Sequence, residues 1–152
     1  MRNTHKYKIG LLWQGAIDLN KNYRYSKTYQ LSFENKPAII GSADATFHGD
    51  ANLYNPEELL LSALASCHMM SFFYLCSKEK IKIESYQDEP IGFLKVNTNG
   101  SGQFEEVVLQ PSIKTGEENL KKVVLLFEQA NEYCFIARSC NFKIKYVPKI
   151  SN

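Results

Sequence analysis

From Asn55 to Glu79 the chain reads Asn-Pro-Glu-Glu, then an almost unbroken apolar run from Leu59 to Cys76, then Lys78-Glu79-Lys80. This segment constrains the fold more than any other. Asparagine suits a helix N-cap, proline suits the first helical position, and acids favour the positive end of a helix. The pattern predicts a helix over 55–79. It is apolar on nearly every face, and a soluble helix of that kind is expected to be buried all round. A membrane span needs about 20 predominantly apolar residues. Here His68 and three serines interrupt a stretch slightly too short, so a central core helix is the better reading and no membrane partner is expected.

Shorter elements surround this helix. Lys6 to Trp13 is apolar-rich, Tyr29 to Phe33 alternates around Leu31, and turn residues Asn35-Lys36-Pro37 precede Ala38-Ile39-Ile40, which together predict strands within 6–47. Beyond the helix, Ile81 to Tyr86, Gly92 to Thr98 and Phe104 to Gln110 read as strands within 81–113, the last two joined by the hairpin signal Asn99-Gly-Ser-Gly102. Leu120, Val123, Val124 and Phe127 recur at helical spacing and predict a second helix over 117–132. Alternation in Phe142-Lys-Ile-Lys-Tyr146 predicts a last strand over 142–147. The order is strands, long helix, strands, helix, strand, without repeats. That is an α+β chain with antiparallel sheets around a buried central helix.

The 152 residues, 44% hydrophobic and 22% charged, fit one folding unit over 1–152. Lys and Arg are scattered, with a net charge of only +2, so the basic stripe that nucleic acid requires is absent. No GxGxxG follows a strand, and GxxxxGK[ST], HExxH and GxSxG are missing. His48, Cys67 and His68 are the conceivable metal ligands, but adjacent helical residues point about 100° apart, so no metal is expected. The N-terminus leads into no apolar targeting segment, and four cysteines at 67, 76, 134 and 140 are too few for a disulfide scaffold. A cytoplasmic chain with free thiols is the expectation.

Those thiols are the remaining carriers of chemistry. Buried cysteine is ordinarily inert packing. Cys67 stands out because it lies mid-helix beside Ser66, with small Ala63 and Ala65 leaving room for an approaching group. The nucleophile is a thiolate, and mid-helix it gains nothing from the helix N-terminus, so a cation must come from elsewhere. Arg2, Arg24 and Arg138 are the candidates. Cys76 follows Cys67 by nine residues, about 900° of rotation, and points to the opposite face as a packing residue. Cys140 is a weaker candidate for a second thiol partner.

The stretch from Asn55 through Leu-Leu-Leu-Ser-Ala-Leu-Ala-Ser to Cys67-His-Met resembles the signature of the OsmC/Ohr family. The block Ala130-Asn-Glu-Tyr-Cys134-Phe-Ile-Ala-Arg-Ser139, together with Phe47-His-Gly-Asp50, Tyr86-Gln-Asp88 and Gly92, extends the likeness over nearly the whole chain. The resemblance implies a thiol-dependent peroxidase with Cys67 reactive and Cys134 resolving. It also implies an arginine polarising the peroxide, matched by Arg24, and a glutamate orienting it, matched by Glu57. It further implies an intertwined homodimer with sites at the subunit interface, no bound cofactor, an external thiol reductant and a role in stress response. The second block departs from many relatives in having Asn131 in place of histidine, and from others in having Phe135 in place of proline.

The expected cycle oxidises Cys67 to a sulfenic acid, and Cys134 condenses with it to a disulfide that an external thiol reduces. Met69, Met70, Phe72 and Phe73 near the nucleophile suit organic hydroperoxides. Two rival readings fit the same element order: a hotdog-type thioesterase with Glu57 as base, and a non-catalytic domain binding a small ligand between its helices. Helix geometry adds one constraint. Glu57 and Cys67 are ten residues apart, about 15 Å along one axis, so a site using both draws on two copies of the helix.

Overall fold

The computed structural model describes residues 3–152 except 19 and 21–24. Among these residues it is an α+β fold with two α-helices and three three-stranded sheets. By internal contacts the chain divides into two compact units, residues 1–59 and 60–152.

The first unit is built on a small antiparallel sheet of β1 (Gly10–Leu12), β2 (Tyr29–Phe33) and β3 (Lys36–Gly41), in the order β1-β2-β3. The apolar stretch from Lys6 to Trp13 was expected to be strand throughout; only Gly10–Leu12 pairs, with Gly10 opposite Ser32. Pro37 lacks a backbone N–H and is accommodated because β3 is an edge strand. Gly41 is opposite Tyr29, and a Cβ there would come within 2.5 Å of the Tyr29 ring, so glycine lets that ring cross the strand. Past β3 the chain turns tightly around Asp44. A Cβ on Gly49 would come within 1.6 Å of the Ala43 carbonyl oxygen, so only glycine fits. At the helix entrance the Asn55 side chain accepts the Glu58 N–H at 2.8 Å, and Glu58 accepts the Asn55 N–H at 3.2 Å. This reciprocal capping box starts α1 (Pro56–Lys78) within a residue of the expected position.

The second unit holds most of α1, then β4 (Ile83–Gln87), β5 (Ile91–Val96), β6 (Gly102–Leu109), β7 (Ser112–Thr115), α2 (Leu120–Tyr133), β8 (Lys143–Tyr146) and β9 (Lys149–Ser151). The β5–β6 hairpin closes where expected, with Gly100 at φ 82 and the Asn99 side chain accepting from Ser101. Its strands reach Gly102, two residues earlier than Phe104. The sheets are mixed, not wholly antiparallel: β8 runs parallel to β6, and β9 parallel to β7. Alternation revealed β8, but the short β7 and β9 were not foreseen, since each is too brief to show a period. Residues 117–119 form a 3-10 turn and only from Leu120 is the second helix α-helical.

In one chain α1 is not buried all round. Leu64, His68, Phe72, Leu75 and Cys76 are buried, whereas Ser62, Ala63, Ser66, Met70 and Tyr74 are exposed, Met70 by 62% and Tyr74 by 52%. By length and a mean hydropathy of 1.7 the helix could cross a membrane. Its buried face instead packs on α2 and β4 through Phe72, whose ring meets Phe127 at 5.4 Å and Tyr86 at 6.2 Å. Phe72 and Phe127 are fully enclosed, with Val107, Leu109, Ile113 and Val123. Burying a side chain of this kind contributes about 1.5–3 kcal/mol.

Candidate active site

Cys67 lies on the margin of α1 between its buried face, at Leu64 and His68, and its exposed stripe, at Ala63, Ser66 and Met70. The thiol therefore keeps some exposure while packing against the core. Cys134 arrives from the opposite direction. It caps the C-terminal end of α2 with extended backbone, and its carbonyl accepts the Arg138 N–H at 3.0 Å, closing a turn over residues 134–138. That turn aims the Ala137 N–H back at the Cys134 sulfur, 3.3 Å away.

Cys134 lies near enough to Cys67 to feel its charge, although 67 positions separate them in sequence. Both are free thiols. Burial, the largest influence, pushes the Cys134 thiol up to about 12. The Ala137 N–H opposes this, and the hydrogen bond and charge of Cys67 reinforce it. At neutral pH Cys134 is thus a protonated donor facing Cys67. Cys76, on the far side of α1, is pushed up to about 11 by burial and has no such partner.

Behind the pair is an aromatic block that sequence reading missed. The His68 ring is fully enclosed, stacked on Tyr146 at 4.7 Å and edge-on to Phe127 at 4.5 Å. Neither ring nitrogen makes a well-formed hydrogen bond. Burial pushes His68 down to about 4, with the Phe127 backbone opposing, so the ring is neutral at neutral pH. Tyr146 donates its hydroxyl to Asn131 Oδ1 at 2.6 Å, and burial, then the charges of Cys134 and Cys140, raise its pKa. Asn131 thus serves as an acceptor for Tyr146. The inward position of Tyr146 in alternating β8 was the available signal.

Of the other residues singled out, Arg24 and Arg2 lie outside the described residues. Arg138 is exposed in the turn after Cys134. Glu57, half-buried in the first turn of α1, is near enough to Tyr29 that its charge, second to burial, raises that phenol's pKa. Asp88 accepts the Gln110 N–H at 2.9 Å and ties the end of β4 to the end of β6, a structural role. Among the described residues no group of three or more His, Cys, Asp or Glu side chains is placed to hold a metal ion.

The model of the OsmC-like protein family matches residues 49–147, which include both thiols and their supporting turn. The chain belongs to the OsmC-like family. No match was found among curated protein sequences. An OsmC-like protein of unknown function from Vibrio cholerae is similar in structure, at 26% identity and a TM-score of 0.81, covering 97% of this chain and all of the other. An organic hydroperoxide resistance protein from Legionella pneumophila shares 15% identity at a TM-score of 0.71, over 98% and 100% of the two chains. One from Elizabethkingia anophelis shares 18% at 0.68, over 100% and 99%. The OsmC-like fold therefore extends beyond the matched segment to nearly the whole chain, and the family includes organic hydroperoxide resistance proteins.

Proposed function

We propose that this OsmC-like chain is a cytoplasmic thiol peroxidase that reduces organic hydroperoxides, with Cys67 as the attacking and Cys134 as the resolving thiol. The observation that carries this reading is the contact between a partly exposed thiol and an enclosed, protonated one. The Cys67 thiolate attacks the distal oxygen of the hydroperoxide. An S–O bond forms, the O–O bond breaks, and the departing alkoxide takes a proton to leave as alcohol, with Cys67 left as sulfenic acid. Cys134 then forms the S–S bond as hydroxide departs from Cys67, and the Cys134 proton completes a water molecule. The Ala137 N–H steadies the charge that builds on Cys134 as this proton leaves. No bound cofactor enters the cycle; an external thiol closes it.

Arg24 stabilises charge on the departing oxygen and Glu57 orients Arg24 in this proposal. At about 1.5 Å rise per residue, Glu57 and Cys67 of one helix are too far apart to share a site. We therefore propose a homodimer in which two antiparallel copies of α1 exchange these residues across a twofold axis. The exposed stripe through Met70 and Tyr74 supports this.

Two measurements test the proposal. Peroxide consumption with dithiothreitol should be rapid for cumene hydroperoxide; no consumption by either chain form, oxidised or reduced, would end the peroxidase reading. Complementation tests the dimer: inactive Cys67→Ser and Glu57→Gln homodimers are mixed by co-refolding. Shared sites restore one intact site per heterodimer and measurable turnover; sites contained in single chains restore none.

A further inference from the structure

A disulfide joining Cys67 to Cys134 must be opened again, and the two sulfurs offer very different targets. Cys134 has 0% exposure and is enclosed by the core that includes Phe127, Ala130 and Ala137. Cys67 keeps some exposed surface and is, in the cycle proposed above, the sulfur that the hydroperoxide reaches. A thiolate attacks a disulfide sulfur from the side opposite the sulfur that leaves. Cys134 offers no exposed surface for that approach, whereas Cys67 does.

The departing sulfur also needs a reception. The turn over residues 134–138 presents the Ala137 N–H to the Cys134 sulfur at 3.3 Å. A backbone donor held by a closed turn is already in place and needs no reorganisation when charge arrives.

We propose that the reducing thiol enters at Cys67 and expels Cys134, so that regeneration passes through a mixed disulfide on Cys67 only. This rests on the Cys67–Cys134 pairing proposed above. In the first step the external thiolate forms a bond to the Cys67 sulfur while the Cys67–Cys134 bond breaks. The electron pair passes to Cys134, which takes up the proton released by the incoming thiol. In the second step another thiolate attacks the external sulfur, freeing Cys67 and releasing the reductant as its disulfide. Two thiols are oxidised to one disulfide, and the protein regains two thiols.

One consideration favours the opposite direction, since the more acidic thiol is the better leaving group and burial keeps Cys134 weakly acidic. Two of the influences that raise Cys134 are the hydrogen bond and charge of Cys67, and both vanish once Cys67 is capped by the reductant. Access decides the rest, because a sulfur without exposed surface is reached only through local opening of the core.

The test avoids peroxide altogether. The protein is oxidised with diamide and the Cys67–Cys134 bridge is mapped by mass spectrometry before any thiol is added. It is then mixed briefly with 2-mercaptoethanol, quenched in acid and mapped again. The expected result is a mercaptoethanol adduct on Cys67 with Cys134 free, exceeding any Cys134 adduct by at least about tenfold. An adduct on Cys134, alone or in comparable amount, overturns the proposal. Absence of the bridge before thiol is added overturns the pairing itself, and the first map separates that failure from an adduct on the wrong sulfur.

Discussion

Cys67 and Cys76 occupy the same helix nine residues apart, and their surroundings differ in every respect that bears on chemistry. Cys67 sits at the edge of the buried face with a second thiol against it and surface beside it. Cys76 is 2% exposed, without a thiol partner, and burial alone pushes it up to about 11. A thiol buried in apolar surroundings is inert packing; one with access and a partner can enter a redox cycle. One helix thus supplies both kinds, and which kind is set by what the rest of the fold places opposite.

Exchanging the two cysteines for serine is the strongest way to break this comparison. Cys67→Ser should lower hydroperoxide turnover by at least about a thousandfold, as expected when a nucleophile is removed, while Cys76→Ser leaves it within about twofold. Steady-state consumption of cumene hydroperoxide checks both. Equal losses would erase the distinction.

Cys134→Ser sharpens it further. The first turnover should survive at near its normal rate, because Cys134 is not the attacking group. Repeated exposure should then convert Cys67 to sulfinic acid, seen as a gain of two oxygens by mass spectrometry, since nothing condenses with the sulfenic acid. A variant that turns over indefinitely would remove the resolving role.

A smaller effect concerns the ring beside the site. His68 is held down at about 4 by burial, against about 6.5 when unfolded. Between those values the unfolded chain binds the extra proton, so stability rises with pH there. The contribution is complete above about pH 6.5 and is lost as pH falls towards 4, a range of up to roughly 3 kcal/mol. Urea unfolding at a series of pH values should show this slope in the wild type and not in His68→Phe. At neutral pH His68→Phe also removes two buried nitrogens without good partners, so it should not destabilise by more than about 1 kcal/mol. The smallest effect is expected from Tyr146→Phe. It deletes the 2.6 Å hydrogen bond to Asn131 and should cost about 1 kcal/mol in the same unfolding assay.

The two helices show how far sequence alone reaches. In α2 the apolar residues recur with helical period, and Val123, Phe127 and neighbouring Leu126 are indeed buried. In α1 apolarity is spread around the axis, so the sequence marks the helix and its capped start while leaving its faces undefined. Only packing by Phe127, Tyr86 and Tyr146 picks out the buried side. The same holds for the site. Cys67 and Cys134 stood out by resemblance and Glu57 by its place in the motif, but the Ala137 N–H depends on a backbone turn, which no side-chain pattern records. The Tyr146 to Asn131 bond was equally invisible, since it joins a strand to a helix 15 positions away. Short β7 and β9 escaped because four and three residues are too few to display alternation.

The central claim, that Cys67 and Cys134 act as one redox pair, is tested most directly by peptide mapping after a single equivalent of cumene hydroperoxide. The account predicts a Cys67–Cys134 disulfide within one chain, with Cys76 and Cys140 recovered as free thiols. Full recovery of Cys67 and Cys134 as unmodified thiols, or a bridge that involves Cys76, would contradict it.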